Sequence, residues 1–110
     1  MLPRANRVRD AQTFRHTMRG AKANREAIVV YARPKAEPPS RAGFVVSKKV
    51  GNAVERNRVK RRLRHLAAPI LAASPVPVDI VVRALPGALK SDLDAQLASG
   101  VDACYRKLGI

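Results

Sequence analysis

The sequence predicts an α+β domain in which one small sheet packs against helices. Three short segments are rich in β-branched residues, at 27–33, 42–47 and 78–84. Around them, apolar residues recur at helical spacing and cap-type residues mark the starts of helices. The chain has 110 residues, of which 46% are hydrophobic, and this suits one packed domain. The predicted order is therefore helix, two strands, helix, strand, helix.

The N-terminal part combines a basic segment with a short helix. Residues 1–7 show no periodic pattern, which predicts an irregular basic arm. Asp10 is a cap-type residue that predicts a helix over 11–19, and Gly20 is suited to end it. Two large apolar side chains share one face of this helix, Phe14 and Met18. The strands at 27–33 and 42–47 follow, separated by a proline-rich loop at 34–40.

The segment 47–64 is the most informative part of the chain. It carries eight Lys or Arg residues against one acid, Glu55. Ser47 and Asn52 are cap-type residues, which predicts that a helix runs over 52–66. Its buried stripe is predicted to be Val59, Leu63, Leu66 and Ile70. The other faces of this helix are cationic, and such a surface is suited to a phosphate backbone.

The second half predicts a strand and a closing helix. Three prolines are expected to bound the connection after the basic helix, namely Pro69, Pro75 and Pro77. The strand over 78–84 follows, and because a helix separates it from the strand at 42–47, the two are candidates for parallel pairing. Ser91 and Asp94 form a capping-box pattern that predicts a helix over 91–108. Its apolar side is formed by Leu93, Leu97, Val101 and Leu108.

The charge of the chain is concentrated in its first part. The formal net charge is +14, from 22 Lys or Arg and 8 Asp or Glu. Residues 1–66 hold 18 basic and 4 acidic residues, whereas residues 67–110 hold 4 of each. This asymmetry indicates a polyanionic partner that contacts the N-terminal part. Nucleic acid is the first candidate, and an anionic membrane surface is the second.

Several classes of function find little support in the residues. Cys104 is the single cysteine, so an intramolecular disulfide and a multi-cysteine zinc site are excluded. His16 and His65 lack metal-ligand spacing, and the close acids Asp92 and Asp94 fit a helix start. No apolar stretch is long enough to span a membrane, and the N-terminus lacks the apolar core of a secretory signal. We therefore expect a cytoplasmic protein without catalytic side chains or a metal site of its own.

Four segments of the chain combine into a specific pattern. They are 42–49 (AGFVVSKK), 50–54 (VGNAV), 55–64 (ERNRVKRRLR), and Arg7-Val8-Arg9 with Phe14 shortly after. In this register the chain strongly resembles the protein subunit of bacterial ribonuclease P. The segment 78–84 (VDIVVRA) also fits the last strand of that family, so the resemblance covers about residues 4–108.

The resemblance implies a particular α+β fold. It is a small four-stranded mixed sheet packed with helices in the order α-β-β-β-α-β-α, as in a domain of a small-subunit ribosomal protein. The basic helix would lie in a left-handed β-α-β crossover, whereas general topology rules favour a right-handed one. A fourth strand is also implied, and we expect it within 27–47, as a hairpin through the loop at 34–40.

The resemblance also implies how the work is divided between protein and RNA. In this family the RNA subunit performs the endonucleolytic removal of the 5′ leader from precursor tRNA, with Mg²⁺ held by RNA and substrate phosphates. The protein, which is not catalytic alone, binds the RNA subunit and the leader. It needs no membrane and no obligate protein partner.

Two sets of site residues are carried over by position. The residues expected to bind the RNA subunit are Lys48, Lys49, Arg56, Asn57, Arg58, Lys60, Arg61, Arg62 and Arg64. Those expected to line the leader cleft are Phe14, Met18, Val29, Tyr31, Val45 and Ala53. The family often has an aromatic residue where Met18 stands, which leaves Phe14 as the main stacking ring on its helix. Ordinary core packing is the alternative role for Phe14 and for Tyr31.

Two other functions remain open from the sequence. A ribosomal protein or an RNA chaperone would also carry a basic helix and bind structured RNA generically. A protein-only nuclease is the other rival, and it lacks the acid cluster that would hold catalytic metal ions.

Overall fold

The computed structural model describes residues 2–110, and its helices and strands follow the predicted order. The helices are α1 (Ala11–Thr17), α2 (Ala53–Ala73) and α3 (Leu93–Leu108). The strands are β1 (Ala21–Asn24), β2 (Ile28–Pro34), β3 (Arg41–Val46) and β4 (Val78–Ala84). Short 3-10 turns occupy Arg4–Asn6, Lys48–Val50 and Ala88–Lys90. The predicted order α-β-β-β-α-β-α is confirmed, and the three predicted strands agree with β2, β3 and β4 within one residue.

The four strands form one mixed sheet in the order β1-β2-β4-β3. Strand β2 pairs antiparallel with both β1 and β4, whereas β3 pairs parallel with β4. The expected parallel pairing of the strands on either side of the basic helix is therefore confirmed. The left-handed sense of that connection stays a prediction of the family resemblance.

The predicted location of the fourth strand is wrong. It is β1, which precedes β2 and is joined to it by a tight turn in which Arg25 N donates to Ile28 O at 2.8 Å. Strands β2 and β3 both flank β4, so they do not form a hairpin across the loop at 34–40. The sequence of β1 is Ala-Lys-Ala-Asn, which has no β-branched residue. Its extended form comes from pairing with β2 rather than from local propensity.

Apolar side chains pack on both faces of the sheet. The larger cluster lies between one face and the helices α2 and α3, and it includes the single thiol, Cys104. Burial raises the pKa of this thiol. A smaller cluster lies on the opposite face under α1. The two helices with long apolar stripes thus share one face, and the short helix α1 covers part of the other.

Helix α2 is longer than predicted. It continues past Pro69 to Ala73, whereas the predicted helix ends at residue 66. Proline lacks the N–H that would bond the carbonyl four residues earlier, and here both residues of that missing bond, Pro69 and His65, are exposed. The fully buried row is Val59, Leu63, Ala67 and Leu71. The predicted stripe members Leu66 and Ile70 are only half-buried, at the edge of this row.

The N-terminal segment is folded, so the predicted irregular arm is wrong for residues 2–7. Leu2 is 1% exposed and belongs to the larger cluster. After the 3-10 turn, Arg7 forms a parallel bridge with Ala42, and Val8 N donates to Ala42 O at 2.9 Å. The Arg7 Nε atom also donates to Leu2 O at 2.9 Å. The segment therefore covers the outer edge of β3, and Met1 lies outside the described residues.

Two helix termini differ from the sequence prediction. Helix α3 is capped by Asp92, whose Oδ1 accepts from Ala95 N at 3.1 Å, instead of by a Ser91–Asp94 box. Helix α1 has the predicted cap, since Asp10 accepts from Thr13 N at 2.9 Å, but it ends at Thr17 rather than 19. Gly20 lies beyond that end, where a Cβ atom would be 2.4 Å from Ala32 O. Close backbone approach explains this glycine better than helix termination does.

Candidate nucleic-acid interface

The start of α2 is fixed by a reciprocal capping box. Asn52 Oδ1 accepts from Glu55 N at 2.9 Å, and Asn52 N donates to Glu55 Oε1 at 3.0 Å. The only acid within 47–64 is thereby used to close the helix start. The preceding 3-10 turn exposes Lys48 and Lys49. The cap and the turn together fix the start of a cationic helix, and they leave the positive charges of its Lys and Arg side chains unpaired.

Three of the four faces of α2 present polar or charged side chains. Residues four apart lie in rows, and the buried row faces the sheet. One flank carries the half-buried side chains of Arg56, Lys60 and Arg64. The outward row carries the exposed side chains of Asn57, Arg61 and His65. The other flank carries the exposed Arg58 and Arg62. All nine residues predicted to bind RNA therefore lie on one continuous surface formed by α2 and the turn before it.

The cations of this surface have no acidic partners. The ion pairs found among residues 2–110 involve Asp79 and Asp102, and neither contacts a cation of 47–64. Arg62 Nη1 lies 3.4 Å from the carbonyl oxygen of Ser91, which is a weak contact. Eight positive charges are therefore left without an acidic partner, and a polyanion would relieve their mutual repulsion.

The opposite face of the sheet carries the predicted leader cleft. Val29 and Tyr31 form its floor together with Val81, and Tyr31 is only 6% exposed. The half-buried side chains of Phe14, Met18 and Val45 pack on this floor. Five of the six predicted cleft residues thus belong to one cluster. Ala53 is the exception, because it is exposed at the start of α2.

The two predicted stacking rings differ in accessibility. Phe14 lies over Gly43, where an added Cβ atom would be 2.6 Å from the Phe14 ring. Its ring is half-buried, so part of its surface stays open to a ligand. The ring of Tyr31 is mostly covered, and Lys22 Nζ lies 5.9 Å from its centroid. Phe14 is therefore the better placed of the two for contact with a base.

An ionic cluster on the same face of the sheet was missed by sequence reasoning. Asp79 is 0% exposed and lies in β4 between Arg33 of β2 and Arg41 of β3. Arg41 binds it through two hydrogen bonds of 3.1 Å, and Lys35 Nζ lies 3.3 Å away. This contact with Asp79 raises the pKa of Arg41. An acid within the β-branched run of 78–84 was the available signal.

Two cavities are lined by cations from the flank of α2 that carries Arg56, Lys60 and Arg64. The first, here called the edge groove, has a volume of about 260 Å³ and lies between the N-terminal segment, α1, β3 and α2. Its lining includes Arg7, Arg9, Phe14, Lys60 and Arg64. The second has a volume of about 400 Å³ and is lined by Arg7, Arg61, Arg64 and His65. The edge groove thus brings a cleft ring and two cations of α2 into one concave site.

The acidic side chains are not arranged to hold a metal ion. Within residues 2–110, no three His, Cys, Asp or Glu side chains form a metal-binding group. Asp79 is bound by cations, Glu55 and Asp92 cap helices, and hydrogen bonds from Thr13 lower the pKa of Asp10. That Mg²⁺ is held by RNA and substrate phosphates, with none bound by protein side chains, stays a prediction. No helix in the described part of the chain is long and apolar enough to cross a membrane.

Comparison with known proteins decides the family. The model of the ribonuclease P family matches residues 2–109. The chain belongs to the ribonuclease P protein family. The ribonuclease P protein component of Nocardioides sp. is 47% identical, over 99% of this chain and 96% of the relative. That of Streptomyces bikiniensis is 49% identical, over 98% of this chain and 95% of the relative.

Solved structures of ribonuclease P proteins share this fold. The Staphylococcus aureus protein matches with a TM-score of 0.73 and 27% identity, over 96% of both chains. The Thermotoga maritima protein, solved with 1-(4-fluorophenyl)-2-thiourea, matches with a TM-score of 0.74 and 28% identity, over 84% of this chain and 94% of that one. The function of the chain is accordingly that of a ribonuclease P protein component, part of a ribonucleoprotein endoribonuclease.

Proposed function

We propose that the chain binds the RNA subunit of ribonuclease P through α2 and the turn before it, and binds the 5′ leader of precursor tRNA in the cleft under α1. The observation that carries the first part is the set of eight cations within 47–64 that have no acidic partner. Such a surface gains affinity from phosphates through release of their counterions.

The apolar cluster under α1 supports the second part of the proposal. A single-stranded leader has unstacked bases, and proteins bind such bases on aromatic and apolar side chains. Phe14, Met18 and Val45 offer partly open apolar surface above the floor of the cleft. The exposed cations Lys22 and Arg83 lie on the same face of the sheet and would contact phosphates beside these bases.

The chemistry would belong to the RNA subunit. We propose that Mg²⁺, held by phosphates of the RNA subunit and the substrate, supports hydrolysis at the tRNA 5′ end. The protein would contribute affinity and placement of the leader. The partners are then the RNA subunit and precursor tRNA, with no membrane and no obligate protein partner, and the cytoplasm is the location where both RNAs are available.

Reconstitution tests this function most directly. The protein is combined with the RNA subunit from the same genome, and cleavage of precursor tRNA is followed in Mg²⁺. We expect no cleavage by the protein alone and faster cleavage by the complex than by the RNA subunit at low Mg²⁺. Cleavage by the protein alone, or equal stimulation by an unrelated basic protein, would contradict the proposal.

The salt dependence of binding tests the surface on α2. The logarithm of the affinity for the RNA subunit should fall linearly with the logarithm of the salt concentration. Arg61→Ala should flatten this slope by roughly 0.7 to 0.9, the contribution of one phosphate contact. Arg106→Ala on α3 is the matched control, since it also removes one exposed positive charge and should leave the slope unchanged. An unchanged slope in Arg61→Ala would show that this side chain does not contact RNA.

A further inference from the structure

A third cavity, larger than the two that adjoin α2, lies beyond the edge groove. This loop groove has a volume of about 750 Å³, and its lining includes Arg7, Arg9, Lys35 and Arg41. Its acids are Asp10 and Glu37, and the Asp10 carboxylate is already bonded to the backbone and hydroxyl of Thr13. The volume is in the usual range for small-ligand sites, and the lining is cationic on balance.

Two cations that line the loop groove, Lys35 and Arg41, are paired with the buried carboxylate of Asp79. One carboxylate is surrounded by three cations, at distances of 3.1 Å (Arg41), 3.3 Å (Lys35) and 3.6 Å (Arg33). A carboxylate this buried is retained only when it is paired, so the pairing fixes the orientation of Arg41. The two bonds to Asp79 use two of the five N–H donors of that guanidinium. The other donors, and the excess positive charge, remain for a ligand in the groove.

The loop groove is continuous with the edge groove and therefore with the leader cleft. Arg7 and Arg9 line both cavities, and Phe14 lines the edge groove. Asp79 and Arg41 also lie on the same face of the sheet as Tyr31 and Val81 in the cleft floor. A strand that contacts Phe14 can thus enter the loop groove without leaving the protein surface.

We propose that the single-stranded leader bound against Phe14 continues into the loop groove, where Arg9 and Arg41 bind its phosphates. Asp79 acts as a positioning residue that holds Arg41 and Lys35 at the groove floor. The inference rests on the proposed leader binding and extends the leader's contacts beyond the cleft. The chemical class of the ligand is a phosphodiester strand, and its source is the leader rather than the RNA subunit.

A series of leader lengths in the reconstituted holoenzyme tests this inference. Mature tRNA and precursors with leaders shortened stepwise from the 5′ end are compared for wild type and Arg9→Ala. Arg9 is exposed, so this variant should fold normally. We expect Arg9→Ala to weaken binding of long-leader precursors about three- to tenfold, the effect of one charge-assisted contact. Arg9→Ala should bind short-leader precursors, mature tRNA and the free RNA subunit as tightly as wild type does. The control Arg106→Ala should bind all of these RNAs, including the long-leader precursors, as tightly as wild type.

The outcomes separate this inference from the proposed function. If wild type binds precursor no better than mature tRNA at any leader length, leader binding itself fails. If wild type gains affinity with leader length but Arg9→Ala loses none of the gain, the loop groove does not bind the leader. A loss of affinity for the free RNA subunit in Arg9→Ala would assign the groove to that RNA and overturn the inference.

The positioning role of Asp79 has its own readout. Asp79→Asn should remove the dependence on distal leader nucleotides while affinity for mature tRNA is kept. A purely structural Asp79 would lower the melting temperature without changing the dependence on leader length. If Asp79→Asn unfolds the protein, Lys35→Ala replaces it in this test. It removes one of the cations held by Asp79, leaves Asp79 paired with Arg41, and should likewise reduce the dependence on distal leader nucleotides.

Discussion

At the scale of single residues, several acids of this chain serve structure, and none of them neutralises the basic surface of 47–64. Glu55 and Asn52 close the start of α2, Asp92 caps α3, and Asp79 binds three cations on the sheet. Each of these three acids is thus bonded to a backbone N–H or to cations outside 47–64. The cations within 47–64 keep their full charge for a ligand because no acid is placed to pair with them.

The capping box gives the prediction that belongs at this scale. Asn52→Ala removes the acceptor for Glu55 N and should lower the free energy of unfolding by about 0.5–2 kcal/mol. Denaturant unfolding measures this loss. Asn57→Ala is the control, because Asn57 is exposed within the same helix and substitution there should change stability by less than about 0.5 kcal/mol. Equal stability of Asn52→Ala and wild type would mean that the cap contributes nothing in solution.

At the scale of elements, one face of α2 contributes to the stability of the fold, and its other faces carry the residues proposed to bind RNA. Val59, Leu63, Ala67 and Leu71 pack on the sheet and α3, and the remaining rows carry the cations. The helix begins in a cap and turn that the sequence alone predicts, and its first two buried positions were also predicted. One element therefore both completes the core and presents the surface proposed to bind RNA.

Two substitutions within α2 test this separation. Leu63→Ala should lower the free energy of unfolding by about 2–5 kcal/mol, because Leu63 is fully buried in the larger cluster. Arg58→Ala should change it by less than about 0.5 kcal/mol, because Arg58 is exposed, and yet weaken binding of the RNA subunit. Thermal unfolding and a binding titration on both variants give the comparison. Similar stability losses in the two variants would refute the assignment of faces.

The elements also show where sequence reasoning succeeds and where it fails. Strands β2, β3 and β4 and the start of α2 are encoded locally, in β-branched runs and in the Asn52–Glu55 cap. Strand β1 is not, because its four small and polar residues become a strand only through pairing with β2. The course of α2 beyond Pro69 depends on the burial of Leu71, which is likewise a tertiary effect. The Asp79 cluster joins three strands, so the acid within 78–84 marks the position in the sequence but does not reveal its partners on β2 and β3.

At the scale of the whole molecule, the two proposed RNA surfaces lie on elements that cover opposite faces of the sheet. Helix α2 packs with the larger cluster, and the cleft under α1 contains the smaller one. The edge groove joins them at β3, where Phe14, Lys60 and Arg64 line one cavity. This arrangement allows the protein to hold the RNA subunit on one side and the leader on the other. Loss of one contact should therefore leave the other intact.

The measurement that tests this account most directly is the ratio of precursor to mature tRNA affinity in the reconstituted holoenzyme. Phe14→Ala should lower this ratio, because the leader loses the binding free energy of one stacked base, about 1–3 kcal/mol. Affinity for the RNA subunit should be kept. Arg58→Ala should weaken binding of the RNA subunit and leave the ratio of precursor to mature tRNA affinity unchanged. Phe14→Leu, which keeps apolar packing over Gly43, should lower the ratio in a protein as stable as wild type. If both Phe14 variants fold and leave the ratio unchanged, Phe14 only packs the core, and the cleft under α1 does not bind the leader.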